Sequence, residues 1–234
     1  MSKVCAIIAA AGSGSRMGID FNKQFIKVND KPILYYTLNA FEKNSSVDNI
    51  IITAKQNEIA FIEEEIIFKH KLSKVSAVIA GGKERQDSVF NALKYLDDFD
   101  IVLIHDGARP FVSQKIIEEG ILYAIKFGAA ACGVKPKDTI KLRAQNGFSG
   151  GTLNRDELFS VQTPQCFRYE LILKAHEKAF EQGIKYTDDT AVVESLGESV
   201  YLYQGSYENI KITTPEDLIF ANRIVEEKNK LAEE

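Results

Sequence analysis

The stretch VCAIIAAAGSGSRMG, residues 4–18, joins a short apolar run to a glycine-rich segment. Its apolar part, Val4 to Ala10, has the length and composition of a strand that is buried on both faces of a sheet. Similar short apolar runs alternate with helical patterns along the rest of the chain, which is typical of βαβ units. The sequence therefore predicts an α/β fold with a mostly parallel sheet flanked by helices, in which the glycine-rich segment follows the first strand.

Six further strands are predicted from the same kind of apolar run. They are Asn49–Thr53, Val75–Ala80, Ile101–His105, Ala129–Val134, Val200–Tyr203 and Ile210–Ile212. Helices are predicted in the gaps between them, from residues that commonly begin or end a helix. These residues are Pro32, Ser113 with Gly128, Gly183, Gly197 and Thr214-Pro215.

Residues 136–158 interrupt this alternation of strands and helices. Thr139 to Leu142 alternates polar and apolar residues, and Asn146-Gly147 is a hairpin turn signal. Because a two-stranded hairpin is only marginally stable alone, we expect this protruding arm to pack on a neighbouring subunit or on its own domain. The sequence has no linker, internal repeat or low-complexity tract, so residues 1–234 are predicted to form one domain that carries the arm.

The composition limits the classes of protein that fit the chain. It has 234 residues, 45% of them hydrophobic, and a formal net charge of −4 without a basic run. That balance, with no apolar stretch near transmembrane length, gives no indication of a nucleic-acid or membrane surface. Three distant cysteines, Cys5, Cys132 and Cys166, argue against a disulfide framework or a structural zinc site and favour the cytoplasm. His70 and His176 have no neighbouring ligand pattern and are expected at the surface.

The glycine-rich segment has the features of a phosphate-binding loop. Its glycines allow backbone N–H groups to approach a ligand, and Arg16 and Lys23 can neutralise phosphate charge. A glycine-rich turn with solvated basic side chains is the competing interpretation, and the loop alone does not separate the two. The dinucleotide-binding fingerprint would need glycine in place of Met17, and the P-loop would need lysine directly after Gly18, so neither motif is present.

The stretch HDGARPF, residues 105–111, begins at the carboxyl end of the strand predicted at Ile101–His105. Ligands of open α/β sheets bind at the carboxyl ends of the strands, so Asp106 is placed to meet a magnesium ion that bridges it to nucleotide phosphates. The competing interpretation is that Asp106 and Arg109 pair to hold a tight loop. A histidine that ends a buried strand is more often a hydrogen-bonded structural group than a catalyst, so His105 is not assigned to the site.

These residues, together with further motifs in the same order, resemble the 2-C-methyl-D-erythritol 4-phosphate cytidylyltransferases of the non-mevalonate isoprenoid pathway. The further motifs are Gly81–Ser88, Asn154-Arg155, Thr163-Pro164-Gln165, Thr187-Asp188-Asp189 and Asn209–Thr213. The resemblance covers nearly the whole chain, and the motifs are highly specific in combination. One position departs from the family pattern, because Asn22 precedes Lys23 where the family often has proline.

The resemblance implies a Rossmann-like nucleotidyltransferase fold, usually a homodimer, in which the arm crosses to the partner and completes its sugar-phosphate site. It also implies CTP and a small sugar-alcohol phosphate as substrates and Mg²⁺ as cofactor. The residues implied for CTP are Ala10, Ala11, Gly12, Gly82, Ser88 and Asp106, the last also as metal ligand. Those implied for the acceptor are Arg109, Thr139, Arg155, Thr187 and Lys211. The implied catalytic residues are Arg16, Lys23, Arg155 and Lys211.

The reaction implied by this resemblance needs positive charge rather than a general base. An oxygen of the acceptor phosphate attacks the α-phosphorus of CTP, and a phosphate monoester, with a second pKa near ~6, is already largely ionised at pH 7. Repulsion between anions is then the main obstacle, and positioned cations reduce it. An isolated lysine or arginine is more often a solvated surface charge, and Thr187 also fits a helix cap, so these structural alternatives remain.

Two other functions remain open from the sequence. A ribitol 5-phosphate cytidylyltransferase would use the same nucleotide chemistry for teichoic-acid precursors, although Ala9–Gly12, Gly107-Ala108 and Leu153–Arg155 are more similar to the methylerythritol phosphate family. A non-catalytic nucleotide-binding module is disfavoured because every recognised basic site residue is retained. Absence of pyrophosphate release with saturating substrates would support such a module.

Overall fold

The computed structural model describes residues 2–12 and 22–233. The strands are β1 (Val4–Ala9), β2 (Lys27–Val28), β3 (Lys31–Pro32), β4 (Asn49–Ala54), β5 (Val75–Ala80), β6 (Ile101–Asp106), β7 (Ala129–Val134), β8 (Lys141–Arg143), β9 (Ser149–Thr152), β10 (Ser160–Arg168) and β11 (Tyr201–Gln204). The helices are α1 (Ile33–Glu42), α2 (Ile59–Phe61, continued by a π-helical segment at Ile62–Phe68), α3 (Arg85–Tyr95), α4 (Gln114–Phe127), α5 (Tyr169–Glu181), α6 (Asp189–Glu194) and α7 (Pro215–Glu233). Among the helices described, none combines the length and the apolar character needed to cross a bilayer.

The described residues form a central sheet of seven strands in the order β11-β7-β10-β6-β1-β4-β5. Strand β10 runs antiparallel to both of its neighbours, β6 and β7, while the other pairings in this sheet are parallel. The prediction of an α/β fold with a mostly parallel sheet is confirmed. Two small antiparallel pairs, β2 with β3 and β8 with β9, lie outside this sheet.

Strand β1 illustrates how a continuous apolar run serves a sheet covered on both faces. Ala6 and Ile8 pack into one core cluster with α1 and α4, whereas Cys5 and Ile7 pack into another with α3 and α5. Successive side chains of a strand point to opposite faces, so every residue of the run is needed in a core. The last residue of β1 pairs in register with Asp106 of β6, which brings the carboxyl ends of these two strands side by side.

Helix α7 forms a third, smaller core cluster against the loop that follows β6. Ala221 and Val225 of α7 pack with Phe111 of that loop and with Ile212, which precedes the helix. Because these side chains are buried together, the loop after β6 and the segment at 209–212 are held next to each other at one edge of the sheet. This packing positions the cleft described below.

Six of the seven predicted strands are confirmed, each within one residue at its ends. The strand predicted at Ile210–Ile212 is wrong, because this segment joins no ladder of strand hydrogen bonds. Its backbone N–H groups instead make isolated bonds, from Ile210 N to Glu208 O at 2.7 Å and from Ile212 N to Ala108 O at 2.9 Å. The apolar alternation of the segment reflects the burial of Ile212 in the third core cluster rather than a strand.

Strand β10 is a strand that the sequence did not predict. Proline cannot donate to a ladder, so Pro164 argues against a central strand when the sequence is read alone. In the structure, the pairing of β10 with β7 shifts register between Val161 and Gln165, around the proline. The irregularity accommodates the missing N–H group, and β10 fills the gap between β6 and β7.

The predicted helix ends and the predicted hairpin are confirmed. Ser113 Oγ accepts a hydrogen bond from Ile116 N at 3.3 Å, and Gly128 ends α4 with a φ of +90°. In the hairpin, β8 pairs with β9 in antiparallel register, and Gly147 in the connecting turn has a φ of +87°. Residues 137–152 are exposed throughout, so the hairpin has no core of its own within this chain.

Replacing Asp217 with alanine is expected to destabilise the protein at neutral pH and to leave it less sensitive to acid. Asp217 Oδ2 accepts from the backbone N–H groups of Thr213 and Thr214 at 2.8 and 2.9 Å. Burial alone would raise the pKa of Asp217, but these hydrogen bonds outweigh it and lower the pKa from its ordinary value of 3.8. The folded form therefore binds its proton less readily than the unfolded form, so this stabilisation is complete above pH 3.8 and is lost as the pH falls through the folded pKa.

Urea unfolding of the native protein and the Asp217→Ala variant at several pH values measures this effect. At pH 7 the variant should lose about 1 kcal/mol of unfolding free energy, the value of a helix-capping interaction. The difference between the two proteins should shrink as the pH is lowered below 4. Glu216→Ala removes a carboxyl group at the exposed neighbouring position and is the matched control. A constant difference at every pH would contradict the assignment.

Candidate active site

A cleft of about 520 Å³ opens where β1 and β6 end. The loops after β1, β5 and β6, the start of α3 and the segment at 209–212 surround it. Its lining residues are Ala9, Ala11, Gly12, Lys23, Gln24, Lys55, Gly82, Lys83, Glu84, Arg85, Ser88, Asp106, Ala108 and Lys211. Five of these side chains are cationic, so the cleft is suited to a polyanionic ligand.

Asp106 is the centre of the charged groups in this cleft. Its Oδ1 accepts from Arg85 Nε at 3.1 Å, and its Oδ2 lies 2.8 Å from Lys211 Nζ and 3.4 Å from Arg109 Nε. Burial alone would raise the pKa of Asp106, but the charges of Arg85, Lys211 and Arg109 outweigh it and hold this pKa well below its ordinary value. The carboxylate is therefore ionised, and three cations from the described part of the chain meet around it.

His105 supports Asp106 from inside the sheet and is fully buried. Its Nε2 lies 3.0 Å from Arg109 O, and because a carbonyl can only accept, Nε2 carries the proton. Its Nδ1 then accepts from Thr163 Oγ1 at 3.1 Å, and that hydroxyl accepts in turn from Asp106 N at 3.1 Å. Burial lowers the pKa of His105 to about 4, so the ring is neutral at pH 7. The prediction that His105 is a hydrogen-bonded structural group is confirmed.

The segment at 209–212 is tied to the loop after β6 by polar contacts as well as by packing. Arg109 Nη1 donates to Asn209 O at 2.8 Å, and Ile212 N donates to Ala108 O at 2.9 Å. Lys23 Nζ donates to Ile212 O at 2.7 Å, so this buried lysine bridges the chain between two parts of the cleft wall. Lys211 lies between the anchored residues and reaches Asp106 from there.

Asn22, which stands where the resembling family often has proline, anchors the start of the short 3-10 turn that carries Lys23. Its Nδ2 donates to Ala10 O at 3.3 Å and to Glu58 Oε2 at 2.8 Å. Its Oδ1 accepts from Gln24 N at 3.1 Å and caps the turn. These hydrogen bonds hold the segment in place, although Asn22 lacks the stiffness of proline.

The loop at 81–84 is folded tightly onto the start of α3. Gly82 N donates to Ser88 Oγ at 3.0 Å, and a Cβ on Gly82 would lie 2.2 Å from the Cβ of Asp87. Glycine is therefore required at this close approach. Glu84 and Asp87 form a reciprocal capping box that fixes the first turn of α3, so Gly82 and Ser88 are presented to the cleft by a rigid wall.

The structure brings part of the predicted site together at this cleft. The predicted residues that line it are Ala11, Gly12, Lys23, Gly82, Ser88, Asp106 and Lys211. Arg109 adjoins the cleft through Asp106, and the side chain of Ala10 is buried behind it, 1% exposed. The ion pair of Asp106 with Arg109 agrees with the structural interpretation of that loop. Arg16 lies outside the described residues.

The remaining predicted acceptor residues do not line this cleft. Thr139 and Arg155 belong to the exposed arm, where Arg155 Nη1 donates to Lys137 O at 3.0 Å. Thr187 is exposed and directly precedes Asp188, whose Oδ1 accepts from Ala191 N at 3.0 Å. Asp188 is therefore the cap of α6, and the alternative role of Thr187 as that cap is wrong. The acceptor roles of the three residues stay predictions.

A buried polar group beside the cleft was not predicted from the sequence. Arg85 Nη1 donates to Asp189 Oδ2 at 2.7 Å, and Asp189 Oδ1 lies 3.2 Å from His176 Nε2. The prediction that His176 lies at the surface is wrong, because it is 1% exposed on the face of α5 that packs inward. His70 is partly buried with its ring centroid 4.2 Å from that of Tyr35. The Gly81–Ser88 motif contains Arg85, but nothing local in it indicates the distant carboxylate.

The chain is similar over nearly its whole length to proteins of one family. The family model described as IspD, 2-C-methyl-D-erythritol 4-phosphate cytidylyltransferase, matches residues 4–227. A relative of that description from Clostridium novyi (strain NT) is 58% identical over 226 residues, which cover 97% of this chain and 98% of the relative. The structure of 4-diphosphocytidyl-2C-methyl-D-erythritol synthase from Anaerococcus prevotii superposes with a TM-score of 0.86 at 34% identity, covering 96% of each chain. The Francisella tularensis 2-C-methyl-D-erythritol 4-phosphate cytidylyltransferase superposes with a TM-score of 0.80 at 32% identity, covering 94% of this chain and 99% of that one.

Proposed function

Because the chain belongs to the 2-C-methyl-D-erythritol 4-phosphate cytidylyltransferase family, we propose that its cleft transfers the CMP group of CTP to 2-C-methyl-D-erythritol 4-phosphate. A bond forms between an oxygen of the acceptor phosphate and the α-phosphorus of CTP. The bond from that phosphorus to the oxygen of the departing pyrophosphate breaks, and its electron pair leaves with pyrophosphate. The observation that carries this proposal is the convergence of Lys23, Lys211 and the ionised Asp106 on one cleft where parallel strands end.

The cleft residues divide into two groups in this proposal. The first group, Ala11, Gly12, Gly82 and Ser88, holds the cytosine and ribose, with Ala10 contributing backbone. Lys23 and Lys211 face the triphosphate and offset its charge, and the sequence assigns Arg16 to the same task. The nucleophile is already ionised near pH 7, so positioned charge supplies the catalysis and no general base is assigned.

Among the three described cations on Asp106, Lys211 is the one best able to change partners when CTP enters. Its side chain is 37% exposed, compared with 29% for Arg85 and 13% for Arg109. A triphosphate oxygen offers Lys211 a second anionic partner, and Arg85 and Arg109 remain on Asp106. Lys211 would then contact the phosphates, and Oδ2 of Asp106 would keep the longer contact with Arg109 Nε, at 3.4 Å, and could accept a further partner.

Asp106 fits the role of a Mg²⁺ ligand in a site that the nucleotide completes. Within the described residues, no group of three or more His, Cys, Asp or Glu side chains could hold a metal ion. Mg²⁺ commonly binds through one or two carboxylates together with phosphates and water, so a single carboxylate beside a triphosphate site suits this ion. When bound, Mg²⁺ would offset the negative charge of the phosphates.

The arm at residues 136–158 is proposed to form a homodimer and to carry acceptor residues into the partner's cleft. Thr139 and Arg155 do not line the cleft of their own chain, which supports a role at a neighbouring one. The arm also exposes Leu142 and Phe148, at 54% and 74%, although it has no core against which to pack them. We also propose that residues 1–234 form one domain that carries this arm. The protein is proposed to act in the cytoplasm, because the free thiols of all three cysteines would persist there. Subcellular fractionation tests that location.

2-C-methyl-D-erythritol 4-phosphate is expected to be used at least ~100-fold more efficiently, by kcat/KM, than ribitol 5-phosphate. Both acceptors present the same nucleophile, so discrimination depends on hydroxyl groups and on the branching methyl group. Arg155→Ala should raise the KM for the acceptor more than the KM for CTP, and Arg143→Ala, also exposed on the arm, is the matched control. Pyrophosphate release with both acceptors and four nucleotides measures this. A preference for ribitol 5-phosphate would move the protein to the teichoic-acid class.

Replacing Thr139–Leu153 by a Gly-Ser link is expected to give a monomer that binds CTP and turns over poorly. The cleft residues lie outside this segment, so the nucleotide should still bind. Sedimentation velocity gives the oligomeric state, and calorimetry gives CTP binding. Phe148→Ser in the intact arm should weaken the dimer without removing Thr139. A truncated protein that sediments as a stable, active dimer would contradict the role of the arm.

A further inference from the structure

Arg85 links the proposed site to a buried carboxylate that has no part in the reaction as described above. It is the first residue of α3, and its guanidinium donates through Nε to Asp106 Oδ1 at 3.1 Å and through Nη1 to Asp189 Oδ2 at 2.7 Å. The guanidinium group is planar, so its donors keep a fixed relative direction. Fixing the Asp189 end of this bridge therefore also fixes the direction from which Arg85 reaches Asp106.

The Asp189 end of the bridge is anchored on several sides. Asp189 is 1% exposed, and its Oδ1 lies 3.2 Å from Nε2 of His176, which is buried as well. Its backbone N donates to Gln165 Oε1 at 3.0 Å. Both the backbone and the carboxylate of Asp189 are thus held, which leaves Arg85 little freedom to swing away.

Strand β10 anchors the backbone of both acidic residues of the bridge. Thr163 Oγ1 accepts from Asp106 N at 3.1 Å, and two residues further along the same strand Gln165 binds the backbone of Asp189. The contacts form a closed ring that runs from Asp106 through Arg85, Asp189 and Gln165 back along β10 to Thr163. Turning the carboxylate of Asp106 requires breaking this ring.

The three cations around Asp106 are not equivalent. Lys211 and Arg109 approach Oδ2, whereas Arg85 approaches Oδ1. Arg85 can therefore keep its contact while the partner of Oδ2 is exchanged. Since Asp189 is a second anion for the same guanidinium, Arg85 is also held when Asp106 is engaged elsewhere.

We propose that Arg85 is a positioning residue, which fixes Oδ1 of Asp106 so that Oδ2 can exchange Lys211 for the divalent cation that accompanies CTP, and that Asp189 aims Arg85. This inference rests on the proposed role of Asp106 as a metal ligand. Arg85→Lys keeps the charge but removes the fork that reaches both carboxylates, and Asp189→Asn keeps the shape of the anchor but removes its charge. Arg223→Lys and Asp98→Asn make the same changes at exposed ion pairs and are the matched controls.

The experiment measures Mn²⁺ binding to the enzyme with CTP and without acceptor, from the electron paramagnetic resonance signal of free Mn²⁺. Removing a residue that orients a metal ligand commonly costs about 10- to 100-fold in metal affinity or activity. We expect Arg85→Lys and Asp189→Asn each to weaken Mn²⁺ binding and to lower kcat within that range. The dissociation constant of CTP measured without metal should change less, and the two controls should match the native enzyme.

Native Mn²⁺ binding and kcat in both site variants would overturn the proposal. A lower melting temperature with unchanged Mn²⁺ binding would also overturn it, because Arg85 would then serve stability alone. If Arg85→Lys does not fold, the same measurements on Asp189→Asn test the proposal. Asp106→Asn distinguishes a failure of the metal role from a failure of the positioning role. If this variant binds Mn²⁺ as the native enzyme does, both the metal role of Asp106 and the positioning role of Arg85 are refuted. If Asp106→Asn loses Mn²⁺ affinity while the Arg85 and Asp189 variants keep it, the positioning role alone is refuted.

Discussion

Asp106→Asn is expected to lower kcat by about 10²–10³ while CTP binding without metal is retained or becomes tighter. The substitution keeps the size of the side chain and removes the negative charge that Arg85, Lys211 and Arg109 surround. Those cations are then free to attract the triphosphate, so binding of the bare nucleotide should not suffer. Turnover should fall nevertheless, because the carboxylate proposed to organise the cation and the phosphates is lost.

Calorimetric titration of CTP with and without Mg²⁺, together with pyrophosphate release, measures both parts of this result. Removing one partner of a buried charge cluster commonly costs ~3–5 kcal/mol of stability, so melting temperatures should be recorded alongside. Asp98→Asn, at an exposed pair with Lys3, is the control for the chemical change itself. Near-native turnover of a folded Asp106→Asn enzyme would contradict the assignment of Asp106 to the reaction.

Lys23→Met is expected to lower kcat by about two decades, which is the usual effect of removing one charge-stabilising donor from a preorganised site. Methionine nearly matches the length of lysine, so the buried position should remain filled. The change also leaves Ile212 O without the 2.7 Å hydrogen bond from Lys23 Nζ, and an unsatisfied buried carbonyl costs about 1–3 kcal/mol. The variant should therefore be somewhat less stable as well as slow.

Circular dichroism separates these two effects of Lys23→Met, since a folded but slow enzyme shows that the charge itself matters. Lys27→Met, at an exposed position on β2, makes the same change away from the cleft and should be neutral. We expect Arg16→Ala to be slow as well, from the sequence alone, because Arg16 lies outside the described residues. Turnover close to native in Lys23→Met would remove Lys23 from the catalytic set.

Local sequence patterns were sufficient for six of the seven strands of the central sheet and for the loop residues at the ends of β1 and β6. The apolar run of β1 and the HDGARPF stretch at the end of β6 can each be recognised from a few consecutive residues, and the pairing of β1 with β6 then brings them together. Strand β10 was not predicted, because Pro164 argues against a central strand when only the neighbouring residues are considered. The strand predicted at Ile210–Ile212 was wrong because a buried residue in an irregular segment produces the same alternation as a strand.

The bridge from Asp106 through Arg85 to Asp189 could not be predicted from local sequence patterns. Its members come from three separate elements, and neither a charge at position 85 nor one at 189 indicates its partner. His176 shows the same limit, because its burial depends on how α5 packs beside α6 and not on the residues around it in the chain. Pairing of distant charges follows from tertiary packing, which sequence periodicity does not contain.

The contact from Lys23 to Ile212, which spans 189 positions along the chain, has a consequence for refolding. Closing so long a loop costs more entropy than closing the local βα connections, and non-local contacts of this kind form late. The helices and the parallel strands near β1 should therefore recover before the segment at 209–212 docks. In a refolding time course, helical circular dichroism should return ahead of catalytic competence, and the delay between the two would report the arrival of Lys211 beside Asp106.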